Sequence, residues 1–404
     1  MPIGRVTRTS PAATQQPATP SLLRAINDRA ALALFLEHGQ LTRTQVSSLT
    51  GLSKPTAGQL LVRLVEAGLV RSVGTSSGGP GPAAQVYELD PTAAYAAALD
   101  VRPGRLVAVV SDLRGTVVGE AEVRATRKQP ADAVEDVTAG LAGASAAAGM
   151  DPAGLASVVI STPGSFDPET GDLRYARHLT GWQEPGLLGR LRREVGVQLD
   201  VENDVNLIAL AEQRDGAAVD ASDFCLMWHD DDGFGAAIVV DGRLHRGATG
   251  GAGELGYLPV PGAPVVRHVI RANSGGFVKL AGLPAILELG EEFGVPGRSA
   301  VTVVRRAASS AAEGAGELLD ELAERYALGL AAVVAVLDPQ AVVLSGSVLQ
   351  AGGEPLRSRV ERQLGELAMT VPAVRLGALR TPILAGALHA ALDTARDAAF
   401  AAAR

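Results

Sequence analysis

The sequence predicts an α/β protein in which an N-terminal winged helix-turn-helix precedes a two-lobed body. Two short helical patterns joined by a glycine turn lie in residues 41–69, and strand-like segments flank a Gly/Ser/Pro-rich tip at 74–82. From residue 91 onward, short strands followed by alternating helices and strands occur twice in succession. This repetition predicts two α/β lobes with a cleft between them.

The helix-turn-helix is predicted from its caps. Thr42 and Gln45 have the spacing of a capping box at the start of the first helix, and Gly51 supplies the turn. Ser53 can cap the second helix, and Pro55 is tolerated in its first turn because no N–H is needed there.

The second helix has an apolar face and a polar face. The apolar face is predicted to contain Ala57, Leu60, Leu61, Leu64 and Val65. A polar N-terminal face is typical of a recognition helix that enters the major groove of double-stranded DNA, and an ordinary helical hairpin with a solvated face is the alternative. The predicted DNA contacts are Arg43, Thr44, Ser53, Lys54, Pro55, Thr56, Gln59 and Arg63.

The charge distribution agrees with a nucleic-acid partner for the N-terminal region alone. Residues 1–75 contain eight Arg or Lys and three Asp or Glu, whereas the whole chain has a formal net charge of −8. The single Cys225 excludes an internal disulfide and a cysteine-cluster zinc site. No apolar run is long enough to span a membrane, and no signal peptide is visible, so we expect a cytoplasmic protein without a membrane partner.

Changes in composition and pattern predict the domain boundaries. We expect a flexible tail at 1–20 and the winged helix-turn-helix at 21–90. The smaller lobe is predicted to comprise 91–206 with 382–404, and the larger lobe 207–381.

Several motifs follow the helix-turn-helix in a specific order. They are the Asp100–Asp112 hairpin, the Ser-Thr-Pro-Gly run at 161–164, Val-Glu-Asn-Asp-Val-Asn at 201–206, the Asp241-Gly242 turn and Gly-Ala-Gly-Glu-Leu-Gly at 251–256. This set resembles the repressor–ORF–kinase (ROK) family, whose sugar kinases share the sugar-kinase/actin-like fold, and the resemblance covers about residues 21–398.

The resemblance implies a transcription factor, expected to be a repressor, that controls carbohydrate metabolism. A sugar or sugar derivative bound between the lobes would act as its effector, and the protein would bind DNA as a homodimer or tetramer.

Both phosphate-binding loops of the family's kinases are altered in this sequence. Arg102 and Pro103 replace the glycines of the first loop, and Asp-Asp-Gly-Phe-Gly at 231–235 replaces Gly-Thr-Gly-x-Gly in the second. Residues 271–277 lack the cysteines of the family's zinc site. We therefore expect no enzyme activity, no cofactor and no metal. The alternative, a sugar kinase with a fused DNA-binding head, retains Asp204, which matches the base of the kinases.

The ligand pocket implied by the resemblance is only partly retained. Asn203 and Asp204 match the sugar-binding pair, although Asp204 could instead be a helix cap, and Glu254 matches a glutamate that binds sugar hydroxyls. Tyr257 replaces a histidine, and Lys279 replaces a further glutamate. These two changes favour an anionic sugar derivative, or a vestigial pocket that senses no sugar.

Overall fold

The structure is a computed structural model that describes residues 20–76, 83–124, 132–166, 170–174, 179, 181–231, 233–269, 274–310 and 313–402. It divides into two compact units, which are described separately. Unit 1 contains the described residues of Met1–Ala93 and Arg396–Arg404, and unit 2 is Ala94–Ala395. Among the described residues, no helix has both the length and the apolar character needed to cross a membrane.

Unit 1 contains three consecutive helices and a three-stranded antiparallel sheet. The strands are ordered β1-β3-β2, and Leu41 pairs with Tyr87 between β1 and β3. The sequence analysis did not predict β1, because three residues are too few to show a period of two. The predicted tip lies outside the described residues from 77 to 82. The elements are α1 (Pro20–His38), β1 (Gln40–Thr42), α2 (Arg43–Thr50), α3 (Lys54–Glu66), β2 (Val70–Ser76) and β3 (Ala84–Leu89).

The local signals at the two short helices are confirmed. The Thr42 hydroxyl accepts from the Gln45 backbone N–H at 3.3 Å, and the Gln45 side chain accepts from the Thr42 N–H at 2.8 Å. Gly51 ends α2 in the left-handed region with φ 72°. The predicted apolar face of α3 was too wide, since Val65 is 41% exposed whereas its other four members are buried.

Unit 2 contains two five-stranded sheets with the same topology. In each sheet three antiparallel strands, consecutive in the chain, are followed by two strands that continue the sheet in parallel. The first sheet and its helices form the smaller lobe. Its elements are β4 (Tyr95–Arg102), β5 (Arg105–Asp112), β6 (Val117–Arg124), α4 (Ala133–Ala147), β7 (Leu155–Thr162), the separate hairpin β8 (Ser165–Phe166) and β9 (Leu173–Arg174), α5 (Leu187–Val195), β10 (Gln198–Asn203) and α6 (Asp204–Asp215).

The second sheet and its helices form the larger lobe. Its short elements at 243–244, 276–281, 283–292, 300–309 and 373–376 were not predicted from the sequence. The elements are β11 (Phe224–Asp230), β12 (Gly233–Val240), β13 (Arg243–Leu244), α7 (Gly276–Ala281), α8 (Leu283–Glu292), α9 (Ala300–Ser309), α10 (Glu313–Leu337), β14 (Ala341–Ser345), α11 (Ser347–Leu367) and β15 (Ala373–Leu376). The last helix, α12 (Pro382–Ala402), packs against the first sheet.

Helix α6 is buried against both lobes. Leu207 packs into a cluster with apolar residues of α12 and the first sheet, while Ile208 packs with residues of the second sheet. The approach to α12 is close, because a Cβ on Gly386 would lie 1.9 Å from the Leu207 carbonyl oxygen. This packing fixes α6, whose first residues line the cavity described below.

We expect Gly386→Ala to destabilise the protein by about 1–3 kcal/mol, because the added methyl group has no space against α6. Gly365→Ala is the matched control in α11, where a new Cβ would lie 3.8 Å from the Val371 Cγ2, an ordinary van der Waals distance. That control should be neutral or more stable by roughly 0.5–1 kcal/mol, the cost of glycine in a helix. Urea unfolding measures the free energy of unfolding of both variants. Equal effects of the two substitutions would contradict the close packing of α12 against α6.

Candidate ligand cavity and nucleic-acid interface

Most of the predicted DNA contacts are exposed around the start of α3. Lys54, Pro55 and Gln59 are exposed on α3, and Arg43 and Thr44 are exposed on the first turn of α2. The hydroxyls of Ser53 and Thr56 are also exposed but lie 2.8 Å apart, as parts of the α3 cap. Polar side chains at the start of a second helix match the arrangement by which helix-turn-helix proteins contact base edges.

Arg63 differs from the expectation that it points outward. Its guanidinium donates to the Asp28 carboxylate of α1 at 2.6 Å and is only 34% exposed. The ion pair therefore connects α3 to α1 within the head. Sequence spacing placed Arg63 on the polar face correctly but could not identify a partner 35 residues earlier.

A cavity of about 660 Å³ lies in unit 2 and is lined by residues from both lobes. It includes the ends of strands β4, β7 and β10, the β11–β12 hairpin and the loop that precedes α7. The predicted residues Asn203, Asp204, Glu254 and Tyr257 all line this cavity, whereas Lys279 is exposed and does not line it.

Asn203, rather than Asp204, caps helix α6. The Asn203 side-chain oxygen accepts from the N–H groups of Val205 and Asn206 at 2.9 and 3.1 Å. Its amide nitrogen donates to the Gly164 carbonyl at 3.0 Å. Asp204 is the first helical residue and is 7% exposed, so the helix-cap alternative for this residue is wrong.

The Asp204 carboxyl is the most strongly perturbed acid that lines the cavity. Burial raises its pKa to about 7, and the positive charge of Arg102 offsets only part of this effect. It accepts a hydrogen bond from the Val205 N–H at 2.9 Å and a weaker one from its own N–H. A carboxyl that is half ionised near neutral pH can accept a hydrogen bond from a ligand hydroxyl or take up its proton.

Arg102 lies at the end of β4, in the hairpin that the resemblance predicts to correspond to the first phosphate loop of the kinases. Its Nε donates to the Asp100 carboxylate at 3.2 Å. Burial opposes the charge of Arg102, but the carboxylates of Asp100, Asp204 and Asp230 outweigh it and raise the pKa of the guanidinium. Arg102 and Pro103 both line the cavity, so side chains occupy a position where glycines would expose backbone N–H groups.

Asp231 is also placed in the second altered loop. Its carboxylate accepts from the N–H groups of Ala300 and Val301, at 2.7 and 3.4 Å, at the start of α9. The positive end of a helix stabilises an anion, so the protein's own carboxylate fills this position. Asp232 lies outside the described residues.

The loop that carries Glu254 depends on a glycine. Gly253 has φ +90°, and a Cβ there would lie 2.1 Å from the Ala236 carbonyl oxygen, so only glycine fits. The Ala236 N–H donates to the Gly253 carbonyl at 2.8 Å and fixes the loop to β12. Glu254 faces the cavity, and burial raises its pKa.

An ion pair between the lobes stabilises the cavity residues on both sides. The Arg246 Nε donates to the Glu202 carboxylate at 2.6 Å. The other Glu202 oxygen accepts from the Asn206 amide at 2.8 Å and the Asn203 N–H at 3.0 Å. Sequence analysis missed this role of Glu202, although the residue lies in the motif at 201–206.

Sequence analysis also missed the contribution of β11 to the cavity. Trp228 and Asp230 line it and alternate along the strand, so they share one face. His229 lies between them, with its Nδ1 2.7 Å from the Tyr326 hydroxyl, and burial lowers its pKa to about 3. A period-two signal was present in the sequence, but spacing alone does not show which face of a strand lines a cavity.

The fold and the cavity define a two-lobed α/β body that follows a helix-turn-helix head. The family model described as "ROK family" matches residues 97–383, and the model of the IclR helix-turn-helix domain matches residues 29–74. The chain belongs to the ROK family.

Three similar proteins illustrate the relationship. The DNA-binding transcriptional dual regulator NagC from Escherichia coli K12 is 25% identical over 356 residues, which cover 85% of each chain. A ROK family transcriptional regulator described as a homolog of E. coli MLC has a TM-score of 0.70 at 20% identity, covering 94% of this chain and 99% of its own. The ROK hexokinase from Thermus thermophilus has a TM-score of 0.59 at 27% identity, covering 74% of this chain and 97% of its own.

We expect Asp204→Asn to stabilise the protein at pH 8 by up to about 4 kcal/mol, because it removes a buried acid whose pKa is raised from 3.8 to about 7. The favourable contribution of the protonated acid is complete below pH 3.8 and is lost as the pH rises through 7. The advantage of the variant should therefore shrink between pH 8 and pH 5.

Urea unfolding at the two pH values tests this expectation. The exposed control Glu366→Gln should show the same small effect at both. An advantage of Asp204→Asn that does not depend on pH would contradict the burial of an ionisable carboxyl at this position.

Proposed function

We propose that this protein is a sequence-specific DNA-binding regulator, a repressor of carbohydrate metabolism, whose cavity in unit 2 binds a sugar or sugar derivative as effector. The observation that carries the proposal is the combination, in one ROK family chain, of a helix-turn-helix head and a cavity lined by Asn203, Asp204 and Glu254. The NagC relative is named as a transcriptional regulator. A cytoplasmic location follows from this role.

DNA recognition is assigned to the N-terminal turns of α2 and α3. Lys54, Thr56 and Gln59 are placed to read the major groove, and Arg43 and Thr44 to contact phosphates. The protein acts as a homodimer or tetramer, because two recognition helices related by symmetry read two half-sites.

Ligand binding is assigned to hydroxyl recognition by carboxylates. Asp204 and Glu254 accept hydrogen bonds from a polyhydroxylated ligand, and Tyr257 contributes an aromatic surface. Control of DNA binding requires that the ligand bind the operator-competent and operator-incompetent states with different affinities.

The body is not an active kinase in this proposal. The Arg102–Asp100 pair occupies the first loop, and the Asp231 carboxylate occupies the start of α9. The Arg102 side chain obstructs a nucleotide phosphate sterically, and the negative charge of Asp231 repels it. The second candidate, a sugar kinase with a fused head, is favoured by one observation, namely that the pKa of Asp204 is suitable for a general base.

We expect the double substitution Lys54→Ala and Gln59→Ala to reduce specific operator binding by at least about 30-fold, because two base contacts contribute roughly 1–3 kcal/mol each. The operator is obtained by selecting duplexes from a random pool with the unaltered protein. Glu66→Gln, at the other end of α3, is the control and should retain the operator. If the double variant keeps its affinity for the operator in a gel-shift titration, the assignment of DNA recognition to helices α2 and α3 is contradicted.

We expect no sugar-dependent release of ADP from Mg²⁺-ATP with neutral, amino or phosphorylated hexoses, because the phosphate loops are occupied by protein side chains. A coupled ADP assay on the full chain measures this. Turnover that requires Asp204, shown by its loss in Asp204→Asn, would establish the kinase alternative instead.

A further inference from the structure

One wall of the cavity combines an aromatic ring with a carboxylate. Trp228 and Asp230 lie on the same face of β11, and their partners on β12 are Gly235 and Gly233. Glycine has no side chain to cover this face, and a Cβ on Gly233 would lie only 3.0 Å from the indole ring. The indole and the carboxylate therefore face the cavity together.

Acidic groups outnumber basic groups around the cavity. Among its described lining residues, four are acids and only Arg102 is a permanent cation. Arg102 already pairs with Asp100, which lies outside the lining. Asp231 is stabilised by the start of α9. The positive charge of Arg102 acts on Asp204 and Asp230, but among the described residues neither Arg102 nor another basic side chain forms an ion pair with Asp204, Asp230 or Glu254.

A second buried acid on α6 shows how this chain satisfies a carboxylate that has only a structural role. The fully buried Glu212 accepts from three backbone N–H groups, those of Ala217, Ala378 and Leu379, at 2.7 to 3.1 Å. Asp204 is also more than nine-tenths buried, yet the described residues give its carboxyl only the adjacent backbone N–H groups of Val205 and of Asp204 itself. Because a buried carboxylate needs partners, the unmet hydrogen-bonding capacity of Asp204 points to a ligand donor in the cavity.

We propose that the effector is a hydroxylated compound that carries a positive charge, of the amino-sugar class, with its ammonium group between Asp204, Asp230 and the face of Trp228. This inference rests on the effector role proposed above. An ammonium group gains from both carboxylates and from the indole face, and an acidic cleft concentrates cations. The structure gives no support for the anionic derivative suggested by Lys279, since that residue does not line the cavity.

The local potential can be measured without knowing the sugar. Trp228 lines the cavity, whereas the only other tryptophan, Trp182, is 3% exposed, so quenching of fluorescence reports mainly on Trp228. Caesium and iodide quenching, each normalised to free N-acetyltryptophanamide, should favour caesium at least twofold. Asp230→Asn should reduce this preference, and the distant Glu366→Gln should not. Equal or stronger normalised quenching by iodide would overturn the proposal.

Calorimetry on the full chain tests the ligand class. The probes are three sets with gluco, galacto and manno configurations, each containing a neutral hexose, its 2-amino derivative and its 6-phosphate. In at least one set the amine should bind at least tenfold more tightly than the other two members, and Asp230→Asn should remove most of this preference.

Each other outcome has a distinct meaning. Tighter binding of a neutral or phosphorylated member would overturn the inference and leave the sugar-effector proposal standing. Binding by no member would overturn both. Titration with MgCl₂ alone is the control, and a Mg²⁺ binding signal abolished by Asp230→Asn would show a metal site instead of an ammonium site.

Discussion

The organisation of unit 2 depends on the burial of helix α6 between two sheets. One side of the helix packs with α12 and the first sheet, and the other packs with the second sheet. This position leaves the first turn of α6 at the cavity, where Asn203 provides the helix cap. Asp204 is buried beside it, with fewer hydrogen-bond donors than the buried Glu212 of the same helix has. The cavity therefore gains an acid with a raised pKa as a direct consequence of the packing of one helix.

Contacts at both ends of α6 fix its position relative to each lobe. At the N-terminal end, Glu202 connects Asn203 and Asn206 to Arg246, which lies in the segment after β13. At the C-terminal end, the Glu212 carboxylate binds the backbone that leads to α12. The Glu212 bonds are partly buried and are screened less by salt than the Arg246–Glu202 pair, in which Arg246 is 57% exposed. A ligand that contacts Asp204 thus acts on a helix that both lobes hold.

The sequence was sufficient for those features that depend on neighbours along the chain. The capping box at Thr42 and the glycine turn at position 51 follow from spacing and local composition, and the structure confirms them. The ordered motifs also led to the ROK family, which the family model confirms.

Features that depend on distant residues could not be obtained in this way. Arg63 pairs with Asp28, which lies 35 residues earlier in the chain. Asp231 accepts a hydrogen bond from the Ala300 N–H, which lies 69 residues later. The choice between Asn203 and Asp204 as the helix cap depended on a one-residue boundary, which spacing does not fix. Lys279 illustrates the same limit, since alignment to a family position does not determine whether a side chain faces a cavity.

The account as a whole requires that occupation of the cavity and binding of the operator influence each other. Thermodynamic linkage makes this influence reciprocal, so operator DNA must change the affinity for the effector by the same factor as the effector changes the affinity for the operator. The direct measurement is the calorimetric affinity of the full chain for its tightest sugar probe, with and without saturating operator duplex. The account predicts at least a fivefold difference, and an unchanged affinity would contradict it.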